Sequence, residues 1–303
     1  MLRDIIDGVK SQINNLVLNR ENMTELALAA FFTGGHILLS GPSGIGKTEW
    51  ALALAQSLGM SCNQERFIPD TQPYEVFGTH TFDYQSSNAE LRPGPMFAHV
   101  FLAEGIENAH PRVKTVLMDA IEKKCAAIEG KCYPMPEPFF VIATSEAPDT
   151  LPDSLRDRFM LTIPINYPGL AAEKQLLQMH HHGQAPIQPV PVCNPEAIAQ
   201  AKEEVQAISV EEGIFNYIIS IVETTRRVGA VQVGASPRGS LALLQAAKAC
   251  AAIKGRDFVK TEDVRDMANA VLGHRIKLRP EALQEGLKAD NIIESILAGK
   301  KTV

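Results

Sequence analysis

The sequence has no apolar run long enough to cross a membrane. None of its uninterrupted hydrophobic stretches approaches the roughly 18 residues that a spanning helix needs, so no membrane span is expected. It also opens without an apolar leader: "MLRDIIDGVKSQINN" carries Arg3, Asp4, Asp7 and Lys10 where a signal peptide would need an uncharged segment, which argues against secretion. Cysteine is scarce and unpatterned. Cys62, Cys125, Cys132, Cys193 and Cys250 are odd in number and form no C-x-x-C pair, so neither a disulfide framework nor a zinc site is expected. They read as reduced, mostly buried thiols of a cytoplasmic protein. Nor is positive charge in excess. A net charge of -6 and a pI near 5.8 leave no global basic footprint, which argues against nucleic acid as the partner.

What is present is enough for a sizeable core: 303 residues, 45% of them hydrophobic, a length that suggests two domains. The first part alternates. "TELALAAFF" (24–32) has helical periodicity, "GGHILLSG" is a short apolar strand opened by glycines, and "EWALALAQSLG" is a helix stopped by Gly59. "HVFLA" (99–103) and "PFFVIAT" (138–144) are further apolar strands, separated by the helix "PRVKTVLMDAIEKK". Such alternation predicts an α/β domain with a parallel sheet covered on both faces. A proline-rich stretch, "GQAPIQPVPVCNPEA" (183–197), marks a linker, and the four segments beyond it all have helical spacing. The expected division is therefore residues 1–185 as an α/β core and 186–303 as a helical domain. Between β-forming segments, "HTFDYQSSNAELRPG" alternates around a Ser-Ser-Asn turn and predicts a hairpin. His180, His181 and His182 are consecutive and so diverge on a helix, which suits a solvated helix end better than a metal site.

Chemistry concentrates in "GPSGIGKT". Gly41, Gly46, Lys47 and Thr48 fit G-x-x-x-x-G-K-[ST], the Walker A loop, with Pro42, Ser43, Gly44 and Ile45 between and Glu49 in the first helical turn after it. Glycines let backbone N–H groups wrap phosphates, Lys47 reaches their outer oxygens, and the Thr48 hydroxyl is a Mg²⁺ ligand. The helix that follows turns its positive end to the same anion. An eight-residue pattern can arise by chance, but here a strand precedes it and a helix follows, as the chemistry requires. ATP or GTP binding is expected.

"HVFLAEG" occupies the position of the Walker B strand, whose end carries Asp then Glu: a carboxylate for Mg²⁺ and a general base for water. Here the two are Glu104 and Gly105. Glu104 can keep the metal contact, since Mg²⁺ retains waters and tolerates an outer-shell ligand. Gly105 has no base to offer, and losing one costs roughly a hundred- to ten-thousand-fold in rate. Glu107 is a candidate replacement, or else an ordinary acidic residue in a helix's first turn.

At this point the chain resembles the MoxR family of AAA+ ATPases, P-loop NTPases with a parallel-sheet core and a C-terminal all-α lid. The likeness runs through "LVLNRENMTELALAAFFTGGHILLSGPSGIGKT", "RPGPMFAHVFLAEGIENAHPRVKTVLMDAIE", "LPDSLRDRFMLTIPINYP" and "GASPRGSLALLQAAKACAAIKGRDFVKTEDVRDMANAVLGHRI". The resemblance implies that Val17 and Leu18 flank the adenine. It puts Arg158 of "RDRF" at the arginine-finger position, offered to a neighbouring subunit, with Arg156 as a second candidate. Arg238 of "SPRG" takes the sensor 2 position, reading the γ-phosphate of its own subunit. It further implies ATP and Mg²⁺ as cofactors, a hexameric ring, a remodelled client protein, and a partner bearing a von Willebrand factor A domain, with the inserted hairpin as the client-facing element.

The chain departs from the family at three points, Glu104-Gly105 for Asp-Glu, Glu107 for Asn, and Glu146 for the sensor 1 Asn, with Ser145 as a polar substitute. All three touch hydrolysis rather than binding. Two functions are therefore carried forward: a slow ATP-driven remodeller, and a nucleotide-binding switch or scaffold with little or no hydrolysis. A small-metabolite kinase would leave the arginines and helical lid without a role.

Overall fold

The computed structural model describes residues 1–14, 20–83, 88–181 and 188–300. Helix α1 (Leu2–Asn14) buries Leu2, Ile5, Ile6, Val9 and Ile13, the i, i+3, i+4, i+7 spacing of one helical face. After α2 (Glu21–Phe32), two glycines turn the chain into β1 (Ile37–Ser40). Gly34 adopts φ 73°, and a Cβ on Gly35 would stand 2.3 Å from Met160 Sδ, so only glycine lets the chain pass. Helix α3 (Lys47–Ser57) leads to β2 (Cys62–Arg66), then α4 (Pro73–Phe77) and the hairpin β3 (Gly78–Asp83) and β4 (Asn88–Pro93). The hairpin forms where alternation predicts it; residues 84–87 of its turn lie outside the described residues. Strand β5 (Val100–Glu104) follows, then α5 (Pro111–Lys123), a second hairpin of β6 (Cys125–Ile128) and β7 (Lys131–Pro134), β8 (Phe140–Ser145), α6 (Asp153–Arg156) and β9 (Leu161–Pro164).

Five strands make one parallel sheet in the order β2-β5-β8-β1-β9. Alternate residues serve opposite faces. Ile37, Leu39, Val100, Leu102, Phe140 and Ile142 pack towards α1, α2 and α3, while Leu38, Phe101, Ala103, Val141 and Ala143 meet Val113 and Leu117 of α5. Both faces being covered explains why these strands read as continuous apolar runs. Strand β1 has its sequence neighbours on neither side, so its C-terminal end is the switch point where α/β folds bind ligands.

The remaining helices are α7 (Leu170–His181), α8 (Pro195–Gln206), α9 (Glu212–Arg227), α10 (Pro237–Ile253), α11 (Thr261–Leu272), α12 (Pro280–Gln284) and α13 (Ala289–Ala298). The α/β core with a helical lid is thus the observed architecture. The lid is not purely helical: β10 (Val231–Val233) and β11 (Lys277–Leu278) pair antiparallel, too short to leave an alternating pattern in the sequence. The boundary expected at 185/186 falls within 182–187, outside the described residues, as does His182. Past it, Val192 N donates to Ser57 O at 2.8 Å, which ties the linker to the core.

One expectation is overturned. Cys125 and Cys132 are joined in a disulfide across the β6–β7 hairpin, whose Glu129-Gly130 turn, both at positive φ, brings their Cα atoms to 5.8 Å. Six intervening residues give no linear spacing to recognise, because the pairing is set by the turn. Closing so short a loop contributes about 2 kcal/mol by the chain-entropy estimate. Cys62 and Cys193 are free and half-buried, and Cys250 is free and buried. The hairpin also grips its counterpart: His80 of β3 meets Glu129 Oε2 at 2.9 Å through Nδ1 and the Tyr133 hydroxyl at 2.7 Å through Nε2.

His36 pins β1 at its start. Its Nδ1 accepts from Val141 N at 3.0 Å and its carbonyl accepts from Met160 N at 2.8 Å, all within the core. Burial pushes the imidazole pKa down to about 4, against about 6.5 in an unfolded chain. The folded state holds a neutral ring, so stability is full above pH 6.5 and is lost as pH falls through 4. His36 alone is expected to remove about 3 kcal/mol over that window. Urea unfolding at pH 7 and pH 4.5 measures the loss, and a His36→Gln variant should flatten the slope.

Candidate nucleotide site

The phosphate loop leaves β1 at the switch point. Gly41 N donates to Ser145 O at 3.0 Å, and a Cβ on Gly41 would lie 2.3 Å from Ile165 O, so the loop starts wedged between the ends of β8 and β9. Ile45 is buried as its anchor. Gly44 (φ 75°) and Gly46 (φ 84°) are left-handed, and Gly46 is the N-cap of α3, with no capping side chain among the described residues. Its first N–H groups therefore point out unclaimed by a cap, the arrangement that suits an anion. Glu49 is exposed in that first turn. Lys47 Nζ donates to Gly41 O and Pro42 O, each at 2.7 Å. Burial lowers the Lys47 pKa, opposed by the charges of Glu146, Glu107 and Glu104 in that order.

Parallel register brings three strand ends to one edge. Thr48 Oγ1 donates to Glu104 Oε1 at 2.7 Å, joining the two residues expected to hold the metal. A hydroxyl and a carboxylate, both hard oxygen donors, suit Mg²⁺. Glu107 is fixed: Oε1 accepts from Glu146 N at 2.8 Å, Lys114 Nζ donates to its carbonyl at 2.7 Å, and Oε2 is buried with no hydrogen-bond partner among the described residues. Glu146 is exposed and its carboxylate accepts from the Ser43 hydroxyl. Ser145 is buried and its hydroxyl accepts from Ala147 N at 3.2 Å, so Glu146 rather than Ser145 faces the loop.

The arginines lie elsewhere. Leu161 of β9 pairs with Ile37, the first residue of β1, so Arg158 precedes the sheet at the edge opposite the phosphate loop. Arg158 pairs with Glu122 at 2.6 Å. Arg238 pairs with the same Glu122 at 2.9 Å and with Asp157 at 3.2 Å. Glu122 stands near the end of α5, roughly 16 Å along the helix from Pro111 at about 1.5 Å per residue. Arg238 thus sits with Arg158 near the start of β9, whereas the phosphate loop follows the end of β1. Arg156 is tied to Asp149 at 3.0 Å and Asp153 at 2.5 Å.

Residues 36–161 match the family described as "ATPase family associated with various cellular activities (AAA)", and residues 223–296 match the AAA lid domain. The uncharacterised protein YeaC of Bacillus subtilis is 33% identical over 99% of this chain and 95% of its own length. Chaperone MoxR1 of Mycobacterium tuberculosis is 28% identical over 94% of this chain and 79% of its own. The chain belongs to the MoxR family of AAA ATPases. A crystal structure from Cytophaga hutchinsonii, of a protein assigned as an ATPase, superposes with a TM-score of 0.91 at 28% identity, covering 100% of this chain and 96% of that one.

Two residues of this MoxR-family ATPase escape sequence reasoning. Arg20 donates to Ile45 O at 3.2 Å and Asn166 O at 3.4 Å, linking the phosphate loop to the turn after β9. Arg275, with its side chain 2% exposed, donates to Asp157 Oδ1 at 2.9 Å, Phe159 O at 2.7 Å and Met160 O at 3.0 Å, fastening lid to core. Both act on backbone carbonyls, which no side-chain motif advertises. Val17 and Leu18 lie outside the described residues.

Gly105 is more than a missing base. It adopts φ 61°, its N–H donates to Thr144 Oγ1 at 3.1 Å, and an added Cβ would stand 3.2 Å from Asn108 Nδ2. The left-handed turn itself favours glycine. Gly105→Ala is expected to lower folding stability by about 1 kcal/mol, read by chemical denaturation. A glutamate restored at 105 would meet the same strain.

Proposed function

We propose that this AAA ATPase is a ring-forming, ATP-driven remodeller of a client protein, with slow intrinsic turnover. The observation that carries it is the Thr48–Glu104 pair beside a phosphate loop whose helix start is uncapped, with Gly105 and not a carboxylate at the next position. When bound, Mg²⁺·ATP supplies a terminal phosphoryl group whose charge the ion neutralises. Backbone N–H groups of residues 44–48 and Lys47 bind the phosphates; Thr48 and Glu104 hold the ion. Glu107 orients the attacking water and takes its proton, a role supported by its place among the carboxylates whose charge reaches Lys47. Arg158 and Arg238, together on Glu122, are presented to the nucleotide of a neighbouring subunit, which supports a closed ring. The ring is hexameric in this reading, works in the cytoplasm, and meets its client through a von Willebrand factor A domain partner and the β3–β4 hairpin. Residues 1–185 and 186–303 are its core and lid.

A second reading, a nucleotide-binding switch with little or no hydrolysis, is favoured by Gly105 alone. Steady-state phosphate release by the wild type, with Lys47→Ala as background, separates the two: release above background is expected, and its absence with nucleotide binding intact leaves the switch. Glu107→Gln should reduce release to background while binding persists.

The arginine assignment has its own test. Arg158→Ala alone should release phosphate no faster than the Lys47→Ala background. Mixed together they should recover part of the wild-type rate, because Lys47→Ala subunits lend Arg158 to intact loops.

A further inference from the structure

Glu146 is exposed, yet the protein holds it from two directions. Its carboxylate accepts from the hydroxyl of Ser43, inside the phosphate loop. Its backbone N–H donates to Glu107 Oε1 at 2.8 Å. It thereby bridges the loop after β1, the turn after β5 and the turn after β8. Among the three carboxylates whose charge reaches Lys47, Glu146 acts most strongly. Lys47 and Ser43, two donors of the phosphate loop, are thus both engaged by acceptors of the chain itself: Lys47 by the Gly41 and Pro42 carbonyls, Ser43 by Glu146.

A phosphate seated in the loop must draw Lys47 off those carbonyls whatever the nucleotide. The terminal phosphate of a triphosphate brings additional negative charge to the edge where Glu104, Glu107 and Glu146 gather. Glu104 is compensated there by the metal it is placed to hold, and Glu107 by the backbone N–H and Lys114. Glu146 has the neutral Ser43 hydroxyl and, more than either other carboxylate, the charge of Lys47, which a seated phosphate claims for itself. Its charge is therefore the one that loses compensation as that phosphate arrives.

We propose that Glu146 is an anionic latch on the phosphate loop, holding Ser43 and setting the preference of the site between nucleoside diphosphate and triphosphate. The proposal rests on the nucleotide-binding reading above. Glu146 acts as a specificity-determining residue: the diphosphate is favoured until the carboxylate is drawn aside.

The test uses the full chain with Mg²⁺, titrated with fluorescent ADP and with the β,γ-imido analogue of ATP. Wild-type protein should bind the diphosphate more tightly. Glu146→Gln, which keeps the shape and removes the charge, should raise affinity for the triphosphate analogue roughly tenfold and change the diphosphate affinity far less. In the wild type, raising salt from about 50 to about 500 mM should shrink the diphosphate preference by screening, a second readout independent of any substitution. Binding of both nucleotides with a ratio indifferent to Glu146→Gln and to salt would overturn the latch and leave the nucleotide site standing. Failure of the wild type to bind either nucleotide would overturn both.

Discussion

Every strand of the central sheet points the same way. Whatever follows a strand emerges at one edge, and whatever precedes one enters at the other. The phosphate loop, Glu107 and Glu146 follow strands β1, β5 and β8, and Glu104 is the last residue of β5; Arg158 precedes β9. A parallel sheet therefore separates the phosphate loop and its three neighbouring carboxylates from Arg158 by the length of the strands. No side-chain rotation closes that gap, because both are fixed by backbone register. The lid obeys the same division. Arg275 fastens it to residues 157–160, so Arg238 is delivered to the arginine edge and not to the loop.

The parts of the site legible in the sequence are those in which one contiguous segment does the work. Gly41 to Thr48 form a loop whose conformation is written in its own glycines, and the apolar run before Glu104 could only be a buried strand. What could not be read is relational. Whether Arg238 serves its own nucleotide depends on where α5 ends, since Glu122 receives both arginines, and no local pattern encodes that. The disulfide depends on a turn at Glu129-Gly130 rather than on cysteine spacing. Arg20 and Arg275 bind backbone carbonyls supplied by distant segments. The β10–β11 ribbon was hidden by brevity, since two or three residues carry no period.

Gly105 belongs to a third category. Its identity is plain in the sequence and suggests a deleted base, but its φ of 61° adds a separate reason for glycine: the turn after β5 is left-handed, and Thr144 receives its N–H. Absence of a carboxylate and presence of a backbone constraint coincide at one position. The next carboxylate comes two residues later, where half-buried Glu107 accepts from the amide of Glu146. Three departures from the usual residues, at 105, 107 and 146, thus form one connected structure rather than three separate losses.

The two hairpins are far apart in the chain and flank its most chemical segment, one before β5 and one after α5. His80 joins them by using both ring nitrogens, on Glu129 at the tip of one hairpin turn and on Tyr133 in the strand beyond it. Two contacts to one ring fix an angle as well as a distance. The pair is in effect a yoke: the β3–β4 hairpin is tied to the hairpin whose second strand runs on into β8, the strand that ends at the turn carrying Glu146.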